Sequence, residues 1–180
     1  MSGFLRLLSL SIALIAAPTQ SAAEAEPPGR VGRISLASAG TQLRIGDSLA
    51  SGEDTLNWPL TTGALIETSA GGRSEVRIGS MALHSDGGTA LEFADLDDAR
   101  IRLRLHRGSI VIVLRNPEHA AETTLETPEG SLRFETPGSY RADVAGGTTA
   151  FSAYRGRALI ETVGLTLQAG ERIVLLGGAD

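Results

Sequence analysis

The sequence contains no cysteine and no lysine. The first absence excludes disulfides, thiolate metal sites, a cysteine nucleophile and a lipid-modified N-terminal cysteine. The second excludes a Walker-type phosphate loop, whose lysine must reach the phosphates. All 16 basic side chains are therefore arginines. Aromatic residues make up only 4 %, so aliphatic side chains must build most of the core, and the 42 % hydrophobic content can supply it. A Gly-x-Ser-x-Gly nucleophile elbow is missing. So is a pair of histidines at the one-turn spacing of a zinc helix. His84, His106 and His119 lie far apart and share no local motif. Long apolar runs are scarce too: after the N-terminal region no stretch approaches membrane-spanning length.

The chain opens with "MSGFLRLLSLSIALIAAPTQSAAEA". One positive charge, Arg6, precedes a short apolar run from Leu7 to Ala17, and small residues follow. Ser21 and Ala23 stand at the −3 and −1 positions of a cleavage site. This is the three-part pattern of a secretory signal peptide, residues 1–23, cut between Ala23 and Glu24. Its removal takes the net charge from −5 to −6, because Arg6 is the only charged residue in it. An acidic exported chain is poorly suited to nucleic acid, whose binding rests on neutralising phosphates. "EAEPPGR" (24–30) reads as a flexible lead-in, and residues 31–177 read as one unit.

Within that unit the apolar period is two, and it changes step at glycines. In "GGRSEVRIGSMALHSDGGTALEF", Val76 and Ile78 are apolar at even positions, then Met81 and Leu83 at odd ones. A two-residue turn at Gly79-Ser80 explains the step, since it pairs Ile78 with Met81 and Val76 with Leu83 on one buried face. Gly followed by a small residue suits a type II′ turn, where only glycine takes positive φ cheaply. The same logic places a turn at Gly108-Ser109, pairing Leu105 with Ile112 and Leu103 with Leu114. A third, at Gly146-Gly147, pairs Val144 with Thr149, Ala142 with Phe151 and Tyr140 with Ala153. Short strands with turns every 8–12 residues predict an all-β fold. The expectation is an antiparallel short-strand sandwich, or a stacked β-helix-like module built from hairpins. "NPEHAAETT" (116–124) is the one segment read as a helical turn, with Asn116 as cap and Pro117 in first position. "RGSIVIVL", "RGRALIET" and "AGERIVLL" echo one another as a small turn followed by a strand.

Three constellations bear on chemistry. Ser80, His84 and Asp86 hold the atoms of a catalytic triad, but they fall where alternation puts polar residues on a hairpin. "DLDDARIRLRLH" opens like a calcium loop, yet Arg100 stands where the loop needs glycine and His106 where it needs glutamate. The third is a row: Arg100, Arg102, Arg104 and His106 share the outward face of one strand. Across the expected hairpin, Arg104 lies beside Val113 and His106 beside Val111. A second layer or arginine stems could cover those valines. The sharper alternative is a partner surface with an apolar centre and an arginine rim.

The C-terminal part, "TPEGSLRFETPGSYRADVAGGTTAFSAYRGRALIETVGLTLQAGERIVL", resembles the periplasmic FecR domain. The matching steps are Thr-Pro-x-Gly at Thr127, Pro128 and Gly130, a Tyr-Arg strand at Tyr140 and Arg141, and a Thr-rich strand at Thr148 and Thr149. An aromatic-x-Gly step follows at Tyr154 and Gly156, then a closing Leu-x-Ala-Gly-Glu at Leu167, Ala169, Gly170 and Glu171. Upstream, "RVGRISLASAGTQLR", "NWPLTTG" and "GGRSEVRIGSMALHSDGGTALEF" resemble exported FecR-domain proteins that carry the module directly behind a signal peptide. The resemblance implies a β-rich interaction module. FecR regulators also have a cytoplasmic anti-sigma segment and one transmembrane helix, and they read the signalling domain of an outer-membrane receptor. Neither segment is expected here, so signalling to a sigma factor is not implied.

The expectation is a periplasmic or secreted, non-catalytic FecR-like module. It would need no cofactor and no metal, and would bind an envelope protein or polymer, with cell-surface sensing as its setting. One alternative is a cupin-like barrel for a small molecule or sugar. "YRGRALIETVGLTLQAGERIVL" has a similar rhythm, although the metal-binding histidine pair of such barrels is missing. Another alternative is a structural envelope subunit.

Overall fold

The computed structural model describes residues 30–178. The expected signal peptide, its cleavage point at Ala23-Glu24 and the lead-in up to residue 29 lie outside the described residues. The first strands in chain order are β1 (Gly32–Ala37), β2 (Thr41–Ile45), β3 (Ser48–Ser51), β4 (Pro59–Leu60) and β5 (Ala64–Thr68). Next come β6 (Ser74–Ile78), β7 (Met81–Ser85), β8 (Ala90–Leu96) and the long β9 (Ile101–Leu114). Helix α1 (Pro117–Glu122) leads to β10 (Thr123–Thr127), β11 (Gly130–Phe134), β12 (Gly138–Ala145) and β13 (Thr148–Arg155). The chain finishes with β14 (Arg157–Ile160), β15 (Leu165–Gln168) and β16 (Arg172–Leu176). The fold is all-β, and α1 is its only α-helix among the described residues. No described helix is long and apolar enough to cross a membrane.

The strands form two layers that share β9. Sheet I runs β4-β1-β6-β7-β9-β12-β13-β16. Sheet II runs β3-β2-β5-β8-β9-β10-β11-β14-β15. Neither closes into a barrel. Every pairing is antiparallel except β9 with β10, which is parallel. Alternate residues of both layers point into one core, from Ile34 in β1 to Leu175 in β16. Phe93, Phe134, Tyr140 and Phe151 are its fully buried aromatics; aliphatic side chains supply the rest.

Two of the expected turns form as read. Ile78 pairs with Met81 and Val76 with Leu83 across Gly79-Ser80. Gly79 has φ +54° while Ser80 stays out of the positive-φ region, as a type II′ turn requires. Across Gly146-Gly147, Val144 pairs with Thr149, Ala142 with Phe151 and Tyr140 with Ala153. Helix α1 starts as expected: the Asn116 side chain accepts from the His119 backbone N–H, and Pro117 follows the cap.

The turn at Gly108-Ser109 does not form a hairpin. Residues 101–114 are one strand, and its two halves belong to different layers. The first half pairs with β8 and β10, the second with β7 and β12. A straight strand of this length would separate its ends by about 43 Å. Instead residues 115–122, mostly the short helix α1, bring the chain from Leu114 to Thr123, which pairs with Ile101. The strand is therefore folded sharply at Gly108, where φ is +88°. Ile101, Leu103 and Leu105 point inward from sheet II, and Ile110, Ile112 and Leu114 from sheet I. The parity reverses because the chain turns over the edge of the core. Thr89 clamps the corner: its Oγ1 accepts from Ser109 N–H at 3.0 Å and donates to Ser109 O at 3.1 Å.

The three echoing segments have a common structural meaning. Each has as its second residue a glycine where the chain passes between layers: Gly108 (φ +88°), Gly156 (φ +91°) and Gly170 (φ +87°). At the second corner the Tyr140 hydroxyl donates to Thr136 O at 2.7 Å and also lies 3.1 Å from Arg157 O. It thereby ties two crossings together from inside the core. Burial holds that phenol above its usual range, so it stays neutral as a donor.

Candidate functional site

The arginine row lies on the outer face of sheet II, and carboxylates from the flanking strands meet it. Arg104 stands between Glu92 of β8 (3.2 Å) and Glu126 of β10 (2.9 Å). Arg102 reaches Asp95 at 2.7 Å and Glu126 at 3.6 Å. His106 Nε2 is 2.8 Å from Glu92. The mesh continues sideways through Arg44, Glu67 and Arg107, and through Arg133, Glu161, Glu135 and Arg157. Burial works against the charge on Glu92, but its bonds with His106 and Arg104 outweigh that and hold its carboxyl below the usual range. The hydrogen bond with Glu126 leads in holding the Arg104 guanidinium above its usual value. Exposed pairs of this kind contribute about 0.2–1 kcal/mol each. Arg100 stands apart in the β8–β9 turn, with no ion pair among the described residues.

The valines lie elsewhere. Val111 and Val113 are half-buried on the outer face of sheet I, in the second half of β9. Val111 sits between His84 and Arg141, and Val113 between Ala82 and Ser139. The expected neighbours Arg104–Val113 and His106–Val111 therefore do not exist. That expectation placed them on one face because it took the two halves of β9 as one hairpin; the corner sends them to opposite sides of the molecule. No described strand layers over the valines.

The triad atoms disperse in the same way. Ser80 Oγ hydrogen-bonds His119 Nδ1 of α1 at 3.0 Å. His84 Nδ1 faces Glu75 at 3.4 Å, and Asp86 faces Arg141 at 3.5 Å. The partner of Ser80 is 39 residues away, and no spacing rule relates a turn to a distant helix. In the acidic segment 95–106 only residues 97–100 form a turn, between β8 and β9: Asp97 Oδ1 accepts from the backbone N–H of Ala99 and Arg100, both at 2.8 Å. Those two bonds lower the Asp97 pKa. Among the described residues, no three His, Asp or Glu side chains group as metal ligands.

The outer face of sheet I differs from that of sheet II. Both faces carry open hollows, but those of sheet II, of about 390 and 280 Å³, are lined by the ion-paired Arg107 and Arg104, whereas those of sheet I lie on either side of Val111. One, of about 240 Å³, is lined by Leu36, Arg73, Glu75, His84 and Asp86. The other, of about 420 Å³, is lined by Arg141, Asp143, Ser152, Tyr154, Glu171 and Arg172. Between them Arg141 grips Asp143 at 2.6 Å and reaches Asp86. Burial disfavours the Asp143 charge, but hydrogen bonds from Arg141 and Ser109 outweigh it and lower its pKa. Arg73 and Arg172 make no ion pair among the described residues, and Tyr154 (57 %) and Leu36 (48 %) are exposed. Residue type alone did not mark these four, because alternation predicts outward polar residues on every strand.

No family model matches the chain, and no curated protein matches it.

Proposed function

We propose that this chain is an exported FecR-like β module that binds another protein or a polymer of the cell envelope, without catalysis, through the outer face of sheet I. The observation that carries this reading is the contrast between the two outer faces. On sheet II, arginines and carboxylates are largely consumed by one another. On sheet I, Val111 lies between two hollows, each with one arginine (Arg73 or Arg172) that makes no ion pair among the described residues, beside exposed Leu36 and Tyr154. Apolar area with an arginine rim is the composition of protein-binding surfaces. Two of the six residues first read as a partner surface, Val111 and Val113, stay in this proposal. Arg100, Arg102, Arg104 and His106 leave it.

The test is affinity capture from envelope extract with wild type, Val111→Asp, Tyr154→Ala and Arg102→Glu, each checked for fold by circular dichroism. Partner recovery should fall at least tenfold for the first two variants and stay unchanged for Arg102→Glu. Loss only in Arg102→Glu would move the binding surface to sheet II and overturn the proposal.

A further inference from the structure

Strand β16 closes sheet I on one side only. Ala153 N–H donates to Glu171 O at 3.1 Å, and Gly177 N–H donates to Gly147 O at 2.8 Å. Odd-numbered residues of this strand thus direct their backbone groups toward β13. The N–H and C=O of Arg172, Val174 and Leu176 therefore point to the open edge, and no described strand pairs with them. The strand has no proline, no bulge and a single charge, so none of the usual devices protects this edge. The opposite edge of sheet I is blunted. There β4 is two residues long and begins with Pro59, and Asn57 N–H donates to Ile34 O of β1.

Exposed apolar side chains cluster at the same corner. Val174 (48 %) and Leu176 (77 %) belong to β16, and Val163 and Leu165 to the edge of sheet II. Strand β16 and the β14–β15 turn meet at this corner, because a Cβ on Gly130 would touch both the inward Leu175 side chain and Thr162. Both layers are thus open together, and a single added peptide would cover only one of them.

We infer that this edge pairs with the same edge of a second copy of the chain, antiparallel, about a two-fold axis at Val174. The outward residues are symmetric about that position. Val174 meets its own copy, and Arg172 meets Leu176 in both directions. Every outward N–H and C=O of the three residues then finds a partner. Arg172 lays its stem on the apolar Leu176. The two guanidiniums stay about 13 Å apart along the strands, so no like charges face each other. Such pairing is isologous and closes at the dimer. The pairing borders the larger hollow of sheet I at Arg172, but it leaves Val111 and the smaller hollow untouched.

The experiment is sedimentation velocity of the purified chain up to about 100 µM, where interfaces at the small end of the stable range are populated. Wild type should dimerise. Val174→Pro should be monomeric with an unchanged melt, because the N–H it removes points away from β13. Val174→Asp should be monomeric alone, and so should Val174→Lys, while the two mixed should restore a heterodimer. Only an axis at Val174 brings those two side chains together. A wild type that stays monomeric, or a dimer that survives both Val174→Pro and Val174→Asp, would overturn the inference. A monomer that still loses its envelope partner in Val111→Asp would defeat the pairing and leave the binding face standing.

Discussion

Gly79-Ser80 and Gly108-Ser109 are the same dipeptide, and apolar parity reverses across both. Their outcomes differ. The first joins two strands that hydrogen-bond each other within sheet I. The second folds one strand over the edge of the core, and its two halves bond to four other strands. A parity reversal reports that both flanking segments face one core. It does not report whether they pair with each other. A residue next to the turn does separate the cases. Ile78 and Met81 flank the first dipeptide; Arg107 and Ile110 flank the second. A hairpin there would have set Arg107 on the buried face opposite Ile110. The corner instead leaves Arg107 exposed and ion-paired with Glu67 at 2.8 Å.

The largest test of this difference is a matched pair of alanine substitutions. At Gly79, positive φ resists a side chain, and a new Cβ would lie 2.7 Å from the His119 ring, which can swing aside. Gly79→Ala should cost about 1–2 kcal/mol. At Gly108 a Cβ would run into the backbone of Thr89, which cannot move without breaking the clamp. Gly108→Ala should cost about 3–4 kcal/mol, near the upper range for single substitutions. Equilibrium urea unfolding measures both, and equal losses would mean that the corner is no more constrained than the hairpin.

A smaller effect sharpens the comparison through pH. Ser109, just past the corner, donates to Asp143 at 2.5 Å and helps lower its pKa. A carboxylate whose folded pKa is depressed stabilises the fold above its unfolded value, about 3.9. That contribution is lost as pH falls through the folded value. Melting temperature should therefore drop as pH falls below about 4. Asp143→Asn should make that drop shallower, with its own cost confined to neutral pH. An identical acid slope in both proteins would show that Asp143 does not anchor the corner.

The smallest expected change is at Arg107. Its side chain is exposed and its ion pair is solvated, so Arg107→Leu should alter stability by no more than about 0.5 kcal/mol. If the arms formed a hairpin, the same substitution would bury a leucine opposite Ile110 and stabilise the protein by more than that. Thermal denaturation distinguishes the two.

Much of the fold was legible in the chain. Alternation marked the buried faces of β6, β7, β9, β12 and β13, and glycine pairs located the turns at 79–80 and 146–147. Asn116 and Pro117 announced α1. The candidate surface was legible in part: Val111 and Val113 were read as outward and apolar. Their neighbours were not legible. His84 and Arg141 flank Val111 from strands that the sequence does not assign to it. Nor could Tyr154 and Arg172 be distinguished from any other outward side chain, because their exposure beside a hollow follows from strand order. The carboxylates that neutralise Arg104 come from 12 and 22 residues away, on two different strands.

The sequence by itself determined the strand class, the inward and outward faces, the sign of φ at Gly79 and the helix cap. Each rests on short-range rules: period-two side-chain alternation, the steric cost of a Cβ at positive φ, and a side chain bonding a free N–H two or three residues on. Only the tertiary structure decided which layer each half of β9 enters. It also decided which charges meet on sheet II and which strand edges remain open. Those outcomes depend on competition among distant strands for the same backbone donors and acceptors, and a strand's own residues do not encode who wins it.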